Sequence, residues 1–461
     1  NPPLYVAVKT RQQRAAAGGE VTVDFYLINE KNVRGNHQLK ISVTDSQGKV
    51  MEVGTYETEA AGGEVYGQLL VKDVKIPVPT AGGLCRIEAK LCKENSVVTT
   101  GYDDILSVNL ASNMLDGKGA VWEDGSALQN FLKGKTKEAV AAYEDNLGKL
   151  DWIMVARPPR KDQLTMVPME ALRSADGKPG LDVVYYEDME FQKEVYHEVA
   201  KVVNLSAIEG ATPSPFVYML DGYGIKWSGK VLPSVSGEYT IIPQSNDRSM
   251  IEVFVNGKKI YEITRKKEHL GDGKVYLEGG KSADIEIRFR HPRSNARCRL
   301  DWAVPNDKMP DAQRLMERAV NDGTKIFIIQ SADEWSEFIA VNSKAVFKDK
   351  FFVGTNWLGG VMFNKPHDIF KELPVGNALN WPYQALIHTG VERMGLVMEG
   401  EELLVGAYHT YPMAIGTAMG IVPMGKGSVL FSTLDIYGNI INDSAAGLVA
   451  KKLIFNMIDF K

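Results

Sequence analysis

The apolar residues of this chain repeat with a period of two, then with a mixed rhythm, then with a period of two again before the mixed rhythm returns. A chain changes its layer architecture where that period changes. From Leu4 to about Leu110 the period is two. In "EVTVDFYLIN" Val21, Val23, Phe25 and Leu27 alternate with Glu20, Thr22, Asp24 and Tyr26, and Leu39, Ile41 and Val43 do the same in "QLKISV". Breaks at "AAGGE", "TAGG" and "DSQGK" space these strands as in a β-sandwich. After "LASNMLDGKG" the rhythm turns to α/β. "GAVWE" reads as a short strand, "ALQNFLKGKTKEAVAAYEDNLGKL" as largely helical, and "DWIMVA" as a strand buried on both faces. The alternation then stops until residue 311, where "DAQRLMERAVNDG" predicts a helix and "KIFIIQ" a strand. "GSVLFSTLDI" and "AAGLVAKKLIFNMI" add a final strand and helix.

The simplest arrangement is one α/β domain interrupted by an insertion from about Pro179 to Pro305. Within it, "EVFVNGKKIYEI" predicts a hairpin, with Asn256 and Gly257 supplying the positive φ angles of a type I′ turn. In "ADIEIRFRH" Ile285, Ile287 and Phe289 face inward and Asp284, Glu286, Arg288 and Arg290 outward. The insertion is therefore a β-module set into a loop.

A length of 461 residues corresponds to roughly three domains. With 44% hydrophobic and 24% charged residues the composition is that of an ordinary folded protein, and no apolar run approaches the ~20 residues of a membrane span. A net charge of −5 argues against nucleic acid, which calls for a concentrated basic face. The opening "NPPLYVAVKTRQQ" has no Met and no apolar leader segment, so the chain reads as a segment of a longer protein. Cys85 and Cys92 share one alternating strand seven residues apart, which is about 23 Å at ~3.3 Å per residue and on opposite faces. They cannot bond to each other, and Cys298 lies in another module.

Residues 178 to 305 resemble a PA14 domain, a β-sandwich of carbohydrate-active proteins and adhesins. The resemblance is carried in order by "GLDVVYYEDMEF", "YGIKWSGKVLPSVSGEYT", "SNDRSMIEVFVNGKKI", "KVYLEGGKSADIEIRF" and "RLDWAVP". The first 110 residues, with "PLYVAVK", "VDFYLINE" and "GYDDILSV", are similar to the immunoglobulin-like domain that follows the catalytic barrel in family 2 glycoside hydrolases of the β-galactosidase type. The α/β part, with "LGKLDWIMVA", "GNALNWPYQALI", "VGAYHT" and "GKGSVLFSTLDI", is similar to the C-terminal region of the same enzymes. That region resembles class I glutamine amidotransferases, with a flavodoxin-like fold. The resemblances imply an immunoglobulin-like sandwich at 1–110, a degenerate amidotransferase-like α/β domain at 111–177 and 306–461, and a PA14 sandwich at 178–305.

Amidotransferase chemistry uses a Cys nucleophile on a turn after a strand, activated by a His. The α/β part has His367, His388 and His409 but no cysteine. Glycoside hydrolysis needs two carboxylates facing one cleft, whereas Glu187 with Asp188, and Glu401 with Glu402, are sequence neighbours that diverge. No CxxC, HExxH or EF-hand spacing occurs. Asn246, Asp247 and Arg248 fall where sugar-binding PA14 domains carry two consecutive aspartates that hold Ca²⁺. Here Asn replaces the first Asp and a cation follows, which disfavours calcium. The alternatives are a plain polar hairpin tip, a calcium site, and a metal-free polar contact with a glycan or a neighbouring domain. Trp227 and Trp302 read as core side chains or as sugar platforms. The stretch from Arg248 to Arg299 holds 13 Lys or Arg against 7 Asp or Glu, an excess of +6. This reads as a solvated surface or a face for an acidic glycan. Trp357, Phe363, Trp381 and Tyr383 lie in loop-like segments and read as contacts between domains or subunits, as plain core, or as a ligand site.

The sequence thus predicts the non-catalytic C-terminal region of a family 2 glycoside hydrolase, with no cofactor. Its partners are an oligosaccharide or polysaccharide, the upstream catalytic barrel of the same chain, and in a homo-oligomer a second copy. The resemblance implies a periplasmic or extracellular location. The alternative is a stand-alone carbohydrate-binding or adhesin protein with no glycosidase attached.

Overall fold

The computed structural model describes residues 2–460 except 95, 111–113, 161–163, 208–211, 215, 246–247, 294–295, 306–308, 354–359, 389–393, 411–412 and 442–446. The chain divides into two compact units, one of Asn1–Asn113, Pro366–Tyr383 and Asp443–Lys461, the other of Met114–Lys365 and Gln384–Asn442.

In the first unit, alternation produces two sheets. Leu4–Thr10, Glu20–Asn29 and Gly67–Pro77 form a three-stranded sheet. Arg14–Ala16, Ser96–Val108, Gly83–Lys93, Gly35–Thr44 and Val50–Ala60 form a five-stranded one. Val21, Val23, Phe25 and Leu27 from one sheet and Leu39, Ile41, Val43, Ile87 and Ala89 from the other share a single core. Cys85 points into that core. A register shift between Leu91 and Cys92 accompanies the burial of Cys92 as well, and both thiols are free. The helix Leu448–Asp459 belongs to this unit, although its apolar spacing suggested a place in the α/β part. The reason lies in its polar side chains. Lys452 Nζ donates to Glu372 at 2.6 Å and to the Asn109 carbonyl at 3.1 Å, and Asn456 Nδ2 donates to the carbonyls of Ile369 and Lys371.

The second unit is built on a mixed sheet. Ala141–Ala142, Gly119–Glu123, Trp152–Ala156, Lys325–Ile328 and Gly427–Ser432 are parallel neighbours. The sheet continues through antiparallel Ala414–Met424, Met394–Glu399 and Val346–Phe352. Helices Ala312–Asp322 and Ala332–Val341 bury Leu315, Met316, Ala319, Trp335 and Ile339 against it. The long helix expected after "GAVWE" shrinks to Ala127–Leu132. Gly134 at φ 73° turns the chain, and Ala141–Ala142 is taken up as a sheet edge, where ladder hydrogen bonds replace helical ones. An antiparallel continuation is also not what a flavodoxin-like reading predicts. Tertiary pairing overrides local helical spacing here.

The insertion is a sandwich with its own core. One sheet runs Glu194–Ala200, Leu181–Tyr186, Tyr223–Val231, Ala283–His291, Met250–Val255, Lys258–Ile263 and His269–Leu270. The other contains Thr165–Met166, Arg297–Ala303, Gly237–Ser245 and Lys274–Leu277, with Asn204–Ser206 also paired to Arg297–Ala303. The predicted hairpin forms, with Asn256 at φ 50° and Gly257 at φ 76° between its strands. Ile285, Ile287 and Phe289 are buried as their alternation requires. Among the described residues no helix is long and apolar enough to cross a membrane.

Candidate functional site

The tip that the sequence singles out joins Gly237–Ser245 to Met250–Val255. Asn246 and Asp247 lie outside the described residues, and Arg248 is exposed in the turn. The base of the turn is anchored. Ser249, buried, pairs its hydroxyl with His291 Nδ1 at 3.1 Å, and His291 stacks on Phe289 with ring centroids 5.8 Å apart. On the neighbouring strand Arg290 donates to Glu252 at 2.8 Å and to the Met189 carbonyl at 3.0 Å, and lies over the Phe191 ring. Burial raises the Glu252 carboxyl, but Arg290 and Lys259 hold it below the usual glutamate range. Ionised and doubly paired, it fixes the strand edge that leads into the tip.

The basic stretch is not one face. Arg290 sits in the larger sheet, whereas Arg297 and Arg299 sit in the smaller one. Arg299 binds Asp301 through Nε and Nη2, each at 2.7 Å, and Arg297 lies over Phe352, with burial lowering its pKa. Trp227 and Trp302 are 3% and 2% exposed, packed on Phe289 and Tyr239. They are core side chains, closed to a sugar ring.

The neighbouring carboxylates are separately employed. Asp188 accepts from the backbone N–H groups of Glu190, Gln192 and Lys193. Glu401 accepts from the Thr417 hydroxyl at 2.7 Å, and Glu402 lies 3.6 Å from Lys365. The thiols of Cys85 and Cys298 are pushed up by burial, which suppresses thiolate chemistry.

Of the loop aromatics, Trp357 lies outside the described residues. Phe363, 40% exposed, is the register partner of Gly406 on Glu402–His409. Its ring lies so close that a Cβ at Gly406 would come within 2.3 Å of it. Trp381 and Tyr383 share a short 3₁₀ turn of the first unit. Tyr383 is buried, donates to the Pro374 carbonyl at 2.6 Å and meets Phe370 edge-on.

At the carboxyl ends of the parallel strands the structure assembles polar groups that the sequence did not reveal. Glu123 accepts from the N–H groups of Leu128 and Gln129 and from the Tyr437 hydroxyl, at 3.1, 2.9 and 2.8 Å. Burial raises its pKa despite these bonds. Asp124 pairs with buried Arg157 and accepts from the Thr165 hydroxyl, and the Arg157 carbonyl takes the indole N–H of Trp335 at 2.8 Å. Apart from the N–H groups of Leu128 and Gln129, 5 and 6 residues on, these partners lie 33 to 314 residues apart in the chain, so no local pattern could have paired them. The one available signal is that both carboxylates follow directly on an apolar strand, "GAVWED".

Residues 177–314 match the PA14 domain. The inserted module is a PA14 β-sandwich. Over 127 residues, 27% of the chain, the sequence is 28% identical to anti-sigma-I factor RsgI3 of Acetivibrio thermocellus, and the match spans 19% of that protein's length. Among solved structures, a β-glucosidase from Kluyveromyces marxianus aligns over 49% of this chain and 30% of its own at 13% identity, with a TM-score of 0.34. An anti-sigma factor domain-containing protein from Clostridium clariflavum aligns over 66% and 91% at 10% identity, with a TM-score of 0.26.

These findings correct the expected setting. The sequence relative is an anti-sigma factor and not a β-galactosidase. The reading as an accessory region of a family 2 glycoside hydrolase, the parent enzyme of that type, and the catalytic barrel as partner in the same chain are therefore set aside, together with the amidotransferase-like label. The stretches that suggested them are short strands and helical turns of kinds that recur in unrelated folds.

Proposed function

We propose that this chain is a carbohydrate-recognition protein of the adhesin or sensor type, with the PA14 sandwich as its binding module. The observation that carries this reading is the PA14 match over residues 177–314. Similarity to an anti-sigma-I factor favours the sensor form, and on this reading a bound glycan is the input. On this reading the module is displayed in a periplasmic or extracellular compartment. Its proposed contact residues are Asn246, Asp247 and Arg248, the last of them next in the chain to Ser249, which pairs with His291.

The test is a glycan array probed with the whole chain, followed by calorimetry on the best oligosaccharide. Asp247→Ala weakens binding at least tenfold with little change in melting temperature. Retention of no glycan by the wild-type chain would sink the proposal. Undiminished binding by the variant would move the contact away from the tip.

A further inference from the structure

The smaller sheet of the sandwich turns Tyr239, Ile241, Cys298, Leu300 and Trp302 into its core. By alternation Gln244, Arg299 and Asp301 stand on its outer face. Arg299 is the register partner of Asn204 on one side and of Gln244 on the other. Amide, guanidinium and amide therefore form one row across three neighbouring strands, each within reach of the next. Asp301 lies one pleat repeat along and is only 1% exposed. A side chain on the outer face of a sheet is hidden to that degree only when something covers the face.

The cover is the α/β sheet, and a cavity of 240 Å³ is left between the two. It opens at the carboxyl ends of Lys325–Ile328 and Gly427–Ser432, parallel neighbours at the centre of that sheet. The carboxyl ends of the strands are the ligand-binding side of an open α/β sheet. The wall on this side is the turn of Gln330 and Ser331. Ser331 has φ 53° and ψ 38°, a left-handed conformation in a residue other than glycine, between a strand and the helix Ala332–Val341. Strain of this kind persists where the surroundings impose it, and it clusters at ligand sites. Gln330 adds a second sign. Its Oε1 is buried and has no hydrogen-bond partner among the described residues, and a buried acceptor of that sort calls for a donor.

The chemistry of the lining limits the occupant. Asp301, Asp333, Glu334 and Asp435 outnumber Arg299, so an anion is repelled. Planar amides and carboxylates facing a hydroxyl-bearing turn offer paired donors and acceptors for adjacent hydroxyl groups. The volume lies below the ~300–1,000 Å³ of sites for drug-sized ligands, which suits one ring and not a chain. We infer that this cavity binds a single neutral sugar residue, held between the Asn204–Arg299–Gln244 row of the sandwich and the Gln330–Ser331 turn of the α/β sheet. The site is separate from the tip and does not depend on it.

Met166 and Met394 both line the cavity and supply reporters. The whole chain, labelled with ¹³C-methyl methionine and with these two resonances assigned through Met166→Leu and Met394→Leu, is titrated with glucose, galactose, mannose, N-acetylglucosamine and, as an anion, glucuronate. At least one neutral sugar shifts both methyl signals saturably, and glucuronate shifts neither. Gln330→Leu weakens that binding at least tenfold. Ser331→Gly does so too while raising the melting temperature, because glycine relieves the left-handed strain; a residue that merely shaped the fold would not trade stability for binding. Asp247→Ala leaves the titration unchanged. The inference is overturned if no neutral sugar moves these methyls up to about 100 mM, a ceiling weaker than any useful affinity. It is equally overturned if glucuronate binds as well as the neutral sugars, or if binding is lost in Asp247→Ala and indifferent to Gln330→Leu, which would assign the sugar to the tip.

Discussion

Replacing Arg299 by Ala isolates one buried charge, and its cost follows from the structure. Asp301 is 1% exposed and takes both its strong hydrogen bonds from Arg299, at 2.7 Å each. Burial holds its carboxyl above the ordinary aspartate range, and Arg299 offsets only part of that rise. Without the guanidinium, burial acts alone and the carboxyl rises further. Removing one partner of a buried pair leaves the other uncompensated, which costs ~3–5 kcal/mol. The sign with pH is determined. A folded pKa raised above the unfolded value means that stability is lost as pH rises from the unfolded value through the folded one. Relative to wild type, Arg299→Ala should therefore lose less stability at pH 5 than at pH 7. The double variant Arg299→Met with Asp301→Leu should restore most of the loss, because no charge remains to be buried. Urea unfolding at both pH values, followed by the fluorescence of Trp227 and Trp302 in the sandwich core, measures all three proteins. A loss below about 1 kcal/mol at pH 7, or a loss independent of pH, would refute the claim that Asp301 is desolvated.

Two further outcomes are expected. Asp311 accepts from the N–H groups of Gln313 and Arg314 at 2.8 and 3.1 Å and caps Ala312–Asp322, so Asp311→Ala should cost ~1 kcal/mol in denaturant unfolding; no measurable loss would show that the cap is idle. Glu123 is raised by burial, so wild-type stability declines as pH rises from about 4.3 through the raised value. Glu123→Gln should flatten that decline in thermal melts between pH 4 and pH 7, and an unchanged slope would assign the titration elsewhere.

Much of the sandwich was legible because its rules are local. Alternation in "ADIEIRFRH" and the Asn-Gly pair in "VNGK" dictate which side chains are buried and where the chain reverses, whatever else the protein contains. The order of the five PA14 stretches also survives in the sequence, since it is a matter of chain order alone. The candidate tip of Asn246, Asp247 and Arg248 rests on the sequence alone, since Asn246 and Asp247 lie outside the described residues.

The remainder depended on distance. "ALQNFLKGKTKEAVAAYEDNLGKL" has helical spacing, yet only Ala127–Leu132 is helical, because Ala141–Ala142 gains more by joining the edge of a sheet. Nothing near Asn204 foretells Arg299 as its register partner 95 residues later, and nothing in "IIQSADEW" shows that Ser331 takes a left-handed turn. Sequence by itself determined which faces of each strand are apolar, since that is written in a period of two. Only the tertiary structure decided which outer face is covered, which carboxylate is desolvated, and which polar groups converge on a cavity. Those outcomes arise from contacts between segments remote in the chain, and their energies exist only once the layers have met.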